Sequence, residues 1–204
     1  MSKVKNSLHK PLGDDDITYL SFLSRAVQEF NKSSEYNSTL INVAHSLVPE
    51  ISDWCAIDIA DNSGTLKRVA TAHIDPGKVQ LALELGRKYP RDKHSDSGTP
   101  YVFRTGEPNM WNKITDDMLV ANAINDEHLE MMRAMKFHSL MIVPIKSRGR
   151  ALGTITFVWA ESANEYTLTD LAFAEILAAL AGSAIDIAQL TRETKKAKVA
   201  SKAN

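Results

Sequence analysis

The residues of this 204-residue chain with most capacity for chemistry are its one cysteine, Cys55, and three histidines, His73, His128 and His138. Cys55 offers a thiol for redox sensing or covalent attachment, or else a small buried apolar side chain. It alternates with Ile57 and Ile59 in Trp54-Cys-Ala-Ile-Asp-Ile-Ala, the pattern of one strand face, which favours burial. Trp54, Ala56 and Asp58 then share the opposite face, where a carboxylate is either exposed at the strand end or placed for a ligand. The histidines show no HxxxH, HxH or CxxC spacing, so a metal or haem site is not expected. No histidine, carboxylate and nucleophile stand at a recognisable spacing, so catalysis is not expected either.

Methionines supply a second kind of candidate. Met118, Met131, Met132 and Met135 fall on two short helical segments, where they either fill core or form an adaptable pocket wall. Thr154 and Thr156, with Val158, alternate with Ile155, Phe157 and Trp159 and would form the floor of such a pocket. Tyr101, in a short extended segment, is a further lining candidate. Lys146, Arg148 and Arg150 make a small basic cluster that reads as a solvated turn more readily than as an anion site.

The elements that must position these residues follow from period and punctuation. Residues 15–33 and about 35–48 read as amphipathic helices, the first opening on Asp14–Asp16. Residues 54–60 and 66–74 read as strands joined by the turn Asp61-Asn-Ser-Gly64. Pro76 opens a helix to about Arg87. After a polar loop over 88–100, 101–105 and 108–114 read as short extended pieces. Thr115 and Asn125 cap two helices, the second reaching Met135. Ser139 to Trp159 reads as a β-hairpin around Arg148-Gly149, and 169–190 as a long apolar helix.

In that last helix Phe173, Leu177, Leu180, Ala184 and Ile187 follow alternating four- and three-residue steps, the spacing of a coiled-coil seam. With Leu20 and Val27 of the first helix they are the candidate dimer interface. Residues 1–13 read as a flexible tail, 14–190 as one domain, and 191–204 as a charged helical extension or tail. The formal net charge of −1 points to neither nucleic acid nor an anionic membrane. No apolar run is read as approaching the roughly 20 residues of a membrane span, and the N-terminus lacks a signal-peptide core. With one cysteine, no internal disulfide forms, which suits the cytoplasm.

The ordered segments DWCAIDIAD (53–61), LKRVATAHIDP (66–76), FRTGEPNMW (103–111), HSLMIVPIKSRGRALGTITFVWA (138–160) and YTLTDLAFAEILAALAGSAIDIAQL (166–190) resemble a GAF domain. The resemblance is to the type that precedes histidine-kinase, PAS or serine-phosphatase modules in bacterial two-component and related sensors. It implies an α+β sandwich: a six-stranded antiparallel sheet with terminal helices on one face and ligand-covering helices and loops on the other. It also implies a non-enzymatic sensor that binds a small molecule or chromophore, works as a parallel homodimer, and drives an output module in cis or trans. The Asn-Lys-Phe-Asp-Glu set of cyclic-nucleotide members is missing. Cys55 lies in a strand rather than near the ligand-covering layer, as a bilin attachment would need, and a sulfoxide reductase needs further thiols. No cofactor is therefore named. The ligand-lining candidates are Trp54, Asp58, His73, Tyr101, Met118, Met131, Met135, His138, Thr154 and Thr156. A dimerisation module with an empty pocket is the alternative.

Overall fold

The computed structural model describes residues 14–32 and 36–202; the tail read over 1–13 lies outside them. Two helices open the chain, α1 (Asp14–Lys32) and α2 (Tyr36–Ser46). The remaining elements are β1 (Trp54–Ala60), β2 (Leu66–His73), α3 (Pro76–Lys88), α4 (Gly98–Thr105), β3 (Asn109–Trp111), α5 (Asp116–Asn122), α6 (Asp126–Ala134), β4 (Ser139–Ser147), β5 (Arg150–Trp159) and α7 (Leu168–Lys202). The strands form one antiparallel sheet in the order β2-β1-β5-β4-β3.

Both hairpin turns are built by local chemistry. Asp61 Oδ1 accepts from the backbone N–H groups of Ser63 (2.9 Å) and Thr65 (3.1 Å), and Gly64 takes a φ of 78°. Between β4 and β5, Arg148 and Gly149 have φ of 50° and 75°, the two positive values a tight two-residue turn requires. Arg148 then pairs with Asp186 of α7 at 2.8 Å, so this member of the basic cluster ties the hairpin to the helix.

The sheet has five strands, not the six expected from the resemblance. Part of the difference lies in 101–105, read as extended but folded as the helix α4. Tyr-Val-Phe-Arg-Thr has strand-forming residues, yet its flanks favour a helix. Pro100 sits in the first turn, where its missing N–H costs nothing, and Gly106 at φ 71° closes the last turn through its N–H to Val102 O. Packing agrees, because Val102 is fully buried and α4 lies on β4 and β5.

One face of the sheet carries the larger core. Cys55, Ile57, Ile59, Met141, Val143, Ile145, Ile155 and Phe157 meet Leu40, Val43 and Leu47 of α2 and the inner face of α7. Helix α1 packs outside these, stacking Tyr19 on Phe173 (4.7 Å between centroids) and setting Phe22 edge-on to the same ring. Phe173 and Leu177, expected in a dimer seam, are therefore spent on the chain's own core. A heptad-like stripe reports an apolar face without saying whether the sheet or a second chain covers it.

α7 corrects a second expectation. Its segment Leu168–Thr191, 24 residues of mean hydropathy 1.8, is by length and composition long and apolar enough to cross a membrane. Scattered Asp170, Glu175 and Asp186 conceal this when the sequence is read by runs. In the fold the inner side of the segment packs on β4, and the helix continues without a break through Leu190 to Lys202.

The opposite face is covered by α3, α4 and α6. A smaller apolar cluster of Trp54, Ala56, Val158, Ala82, Met135 and Ala160 fills one end of it. That end is pinned by Asp53, whose buried carboxylate accepts from the backbone N–H groups of Ala160 (2.8 Å) and Ser162 (2.7 Å).

Candidate ligand site

The polar side chains of interest lie on the face away from the terminal helices. Register sets Trp54 opposite Val158, Ala56 opposite Thr156 and Asp58 opposite Thr154. Successive residues of a strand point to opposite faces, so Trp54, Asp58, Thr154 and Thr156 share one side and Cys55 takes the other. Burial pushes the Cys55 thiol well above its ordinary pKa, which disfavours the thiolate, and the side chain packs in the core beneath the terminal helices.

β2 contributes through an irregularity. His73 pairs with Trp54 and Thr71 with Ala56, but the register shifts between Ile57 and Asp58, so that Arg68, not Val69, stands opposite Asp58. Arg68 grips Asp58 with two bonds, Nε to Oδ1 at 2.6 Å and Nη2 to Oδ2 at 3.0 Å. Asp58 is thus neither exposed at a strand end nor free for a ligand: it is 5% exposed and committed to Arg68. Simple alternation misses this pair, because one extra residue in β2 inverts the face.

Five of the seven buried side-chain polar atoms without a partner, among the described residues, belong to this face: Trp54 Nε1, Thr71 Oγ1, His73 Nε2, Thr154 Oγ1 and Thr156 Oγ1. Leaving a buried donor or acceptor unmatched costs about 1–3 kcal/mol, and here such groups are gathered on one surface. His73 shows the pattern most clearly. Its Nδ1 accepts from the Asp75 N–H at 2.9 Å, so Nε2 bears the proton. That N–H stands 3.9 Å from Glu161 Oε2, too far for a hydrogen bond, while Glu161 pairs with Lys78. Burial lowers the His73 pKa and holds the ring neutral.

The other expected residues scatter. Tyr101, on α4, donates its hydroxyl to Glu107 at 3.0 Å. Met118 on α5 and Met131 on α6 are half-buried, whereas Met135 is fully buried beside Trp54 and Val158. Phe137 stacks on Trp54 at 5.6 Å. His138 enters the sheet by its backbone, donating to Trp159 O and accepting from the Ile114 N–H. His128 accepts from the Ile124 N–H and stacks on Tyr89 at 4.3 Å. The three histidines do not converge, and among the described residues no group of three or more His, Cys, Asp or Glu is placed to hold a metal ion.

Two residues that the sequence reading did not single out complete the face. Arg91 and Thr99 are joined at 3.0 Å, Nη1 donating to Oγ1. Both lie in the polar stretch 88–100, which has no periodicity, so no sequence signal marked them. Asp58, Arg68 and His128 all interact electrostatically with Arg91. The face therefore has an apolar, hydrogen-bonding end at Trp54 and His73 and a charged end at Asp58, Arg68 and Arg91.

Residues 38–185 match the GAF domain family, and the chain belongs to it. The fold is similar to that of the GAF domain from a phosphoenolpyruvate-protein phosphotransferase of Coxiella burnetii. That match has 19% identity and a TM-score of 0.64 and covers 87% of this chain and 98% of that one. The free methionine-R-sulfoxide reductase of Neisseria meningitidis, solved in complex with its substrate, matches at 15% identity and TM-score 0.61, covering 91% and 98%. The second GAF domain of DevS from Mycobacterium smegmatis matches at 14% identity and TM-score 0.53, covering 78% and 99%. No curated protein matches the chain. At these identities the likeness is one of fold. GAF domains as a family are often involved in sensing and signalling.

Proposed function

We propose that this chain is a non-enzymatic sensory domain. It binds a small organic molecule between the β1–β5 floor and the α3–α6 cover, and it passes the bound state to an output module through α1 and α7. The observation that carries the reading is the set of unmatched donors and hydroxyls on one sheet face, at Trp54, Thr71, His73, Thr154 and Thr156. A ligand with matching acceptors would satisfy them. All five atoms are sealed from solvent here, so the cover must shift for a ligand to enter. That movement is the event a sensor transmits, provided the ligand favours one arrangement of the helices over the other. Cys55, the one thiol, faces the opposite core, which supports binding rather than thiol chemistry.

The same reading makes the domain a parallel homodimer through the outer faces of its terminal helices. Leu20 and Val27 of α1 and Ile176, Ile187 and Leu190 of α7 are all exposed, Ile187 at 64%. The output module, a histidine kinase or phosphatase in cis or trans, would take the signal from the end of α7. A cytoplasmic setting suits the single buried thiol.

Met135 supports the second reading, a dimerisation module whose pocket is filled by the chain itself: it is fully buried against Trp54 and Val158. Native mass spectrometry of freshly purified protein, beside a denaturing spectrum of the same sample, separates the two. An excess mass that vanishes on denaturation supports ligand binding. A clean dimer supports the filled pocket, and a clean monomer overturns the helix-interface reading.

A further inference from the structure

Among the described residues Arg91 has the hydroxyl of Thr99 as its one hydrogen-bond partner, and no carboxylate lies within ion-pair distance of it. Asp58, whose negative charge acts on it, already gives both oxygens to Arg68. His128 supplies no counter-charge, because an imidazole is neutral or cationic, and burial and then the field of Arg91 lower its pKa toward the neutral form. Asp58 and Arg68 cancel, and one positive charge is left over.

The guanidinium is also held in a particular place. Arg91 keeps exposed surface, yet protein surrounds its charged group closely enough that lost hydration, and then the charge of Arg68, lower its pKa. Gly98 makes room for it: its φ is 72°, and a Cβ at that position would stand 2.9 Å from Arg91 Nη1. The Gly98 N–H is fixed in turn by Asn109 Oδ1 at 3.2 Å, and Thr99 is 4% exposed. The segment that cradles Arg91 is thus itself anchored.

The geometry points to Arg91 as the anchor for the carboxylate of a small organic monocarboxylate, whose body runs along β1 and β5 toward Trp54 and His73. This rests on the proposed reading of the face as a ligand site and names the ligand's class. One bond to Thr99 leaves further N–H groups of the guanidinium fork free, and that fork matches a planar carboxylate with two parallel bonds. One unbalanced positive charge suits a single negative charge better than the roughly −1.5 to −2 of a phosphate monoester. Thr154 and Thr156 lie along the path, with the indole and imidazole N–H groups at its end. From Asp58 to Trp54 is four strand steps, about 13 Å, the span that a ligand with a distal acceptor would bridge once the cover shifts.

The test uses hexanoate and its neutral isostere hexanamide as probes, at matched ionic strength, with melting temperature and calorimetric titration as readouts. Hexanoate is expected to bind saturably and raise the melting temperature, with hexanamide at least about tenfold weaker. Arg91→Gln, which keeps a partner for Thr99, is expected to weaken hexanoate binding by about tenfold or more while leaving hexanamide unchanged. Gly98→Ala, which displaces the guanidinium, provides the same reading should Arg91→Gln fold poorly. Equal binding of the two probes, an unaffected Arg91→Gln, or no saturable hexanoate binding overturns the proposal. If the protein then still carries a co-purified molecule that Arg91→Gln retains, the ligand site stands and only the carboxylate class is wrong. If it carries nothing, both readings fall.

Discussion

Replacing Gly182 by alanine sets two effects of opposite sign against each other. Gly182 lies inside α7, where alanine is ordinarily favoured over glycine by about 1 kcal/mol. A Cβ at this position, however, would stand 2.1 Å from Lys146 O and 2.8 Å from its carbonyl carbon, both backbone atoms of β4 that cannot rotate away. Restoring ordinary van der Waals contact requires α7 to lift by about 1.3 Å. A gap of about 1 Å already forfeits a quarter to a half of each dispersion contact it opens. Phe173, Leu177, Ala178, Ala181 and Ile185 all use this interface, and Asp186 one turn on holds Arg148. Overpacking costs about 1–3 kcal/mol, and an approach of 2.1 Å to a backbone oxygen belongs at the upper end, so about 3 less the propensity gain of about 1 leaves a net loss of about 2 kcal/mol. Urea unfolding followed by circular dichroism measures it, and with a slope of about 2 kcal/mol/M the midpoint should fall by about 1 M. The exposed neighbour Ser183→Ala should stay within about 0.5 kcal/mol of the parent. A Gly182→Ala midpoint equal to or above the parent's would refute the close seating of α7 on β4.

Two further outcomes follow from the same packing. His73 is held neutral by burial, so its folded pKa lies below the roughly 6.5 of the unfolded chain. The unfolded state then takes up the proton first as pH falls. The stability this provides is complete above about pH 6.5 and is lost progressively below it. His73→Gln should flatten the drop in urea midpoint between about pH 7 and pH 5, and parallel pH profiles for the two proteins would contradict it. Ile187→Glu places a carboxylate on the exposed stripe of α7 without touching the chain's own core. Light scattering should show it shifting a dimer toward monomer with an unchanged melting profile at low concentration, and an unaltered dimer mass would move the interface elsewhere.

Much of this architecture is legible in the residues themselves. Asp61-Asn-Ser-Gly64 and Arg148-Gly149 encode their turns locally, and Pro76, Thr115 and Asn125 mark helix starts that the side chains then cap or preset. Alternation separates Trp54 from Cys55 within β1, and Thr154 and Thr156 from Ile155 within β5, but only the β1–β5 register shows that Trp54 and the two threonines share a face. α4 is not legible in that way, since Tyr101 to Thr105 favour a strand and the deciding signals are Pro100 before them and Gly106 after. Arg68 is hidden by the extra residue in β2. Arg91 is hidden by its aperiodic loop and becomes visible only when Gly98 and Thr99 close around it. For Phe173 and Leu177, spacing reveals an apolar stripe, but only the packed fold shows that sheet and α1 cover it.

The most direct test of a ligand on the β1–β5 face is the indole N–H region of the proton–nitrogen NMR spectrum, recorded on protein as isolated and again after denaturation, dialysis and refolding. Trp54 Nε1 is a buried donor without a partner on that face, while Trp159 stacks on Tyr166 on the helix side. The account expects the Trp54 indole resonance to move when the co-purified molecule is removed, with that of Trp159 unchanged. Superimposable spectra, or a shift confined to Trp159, would contradict it.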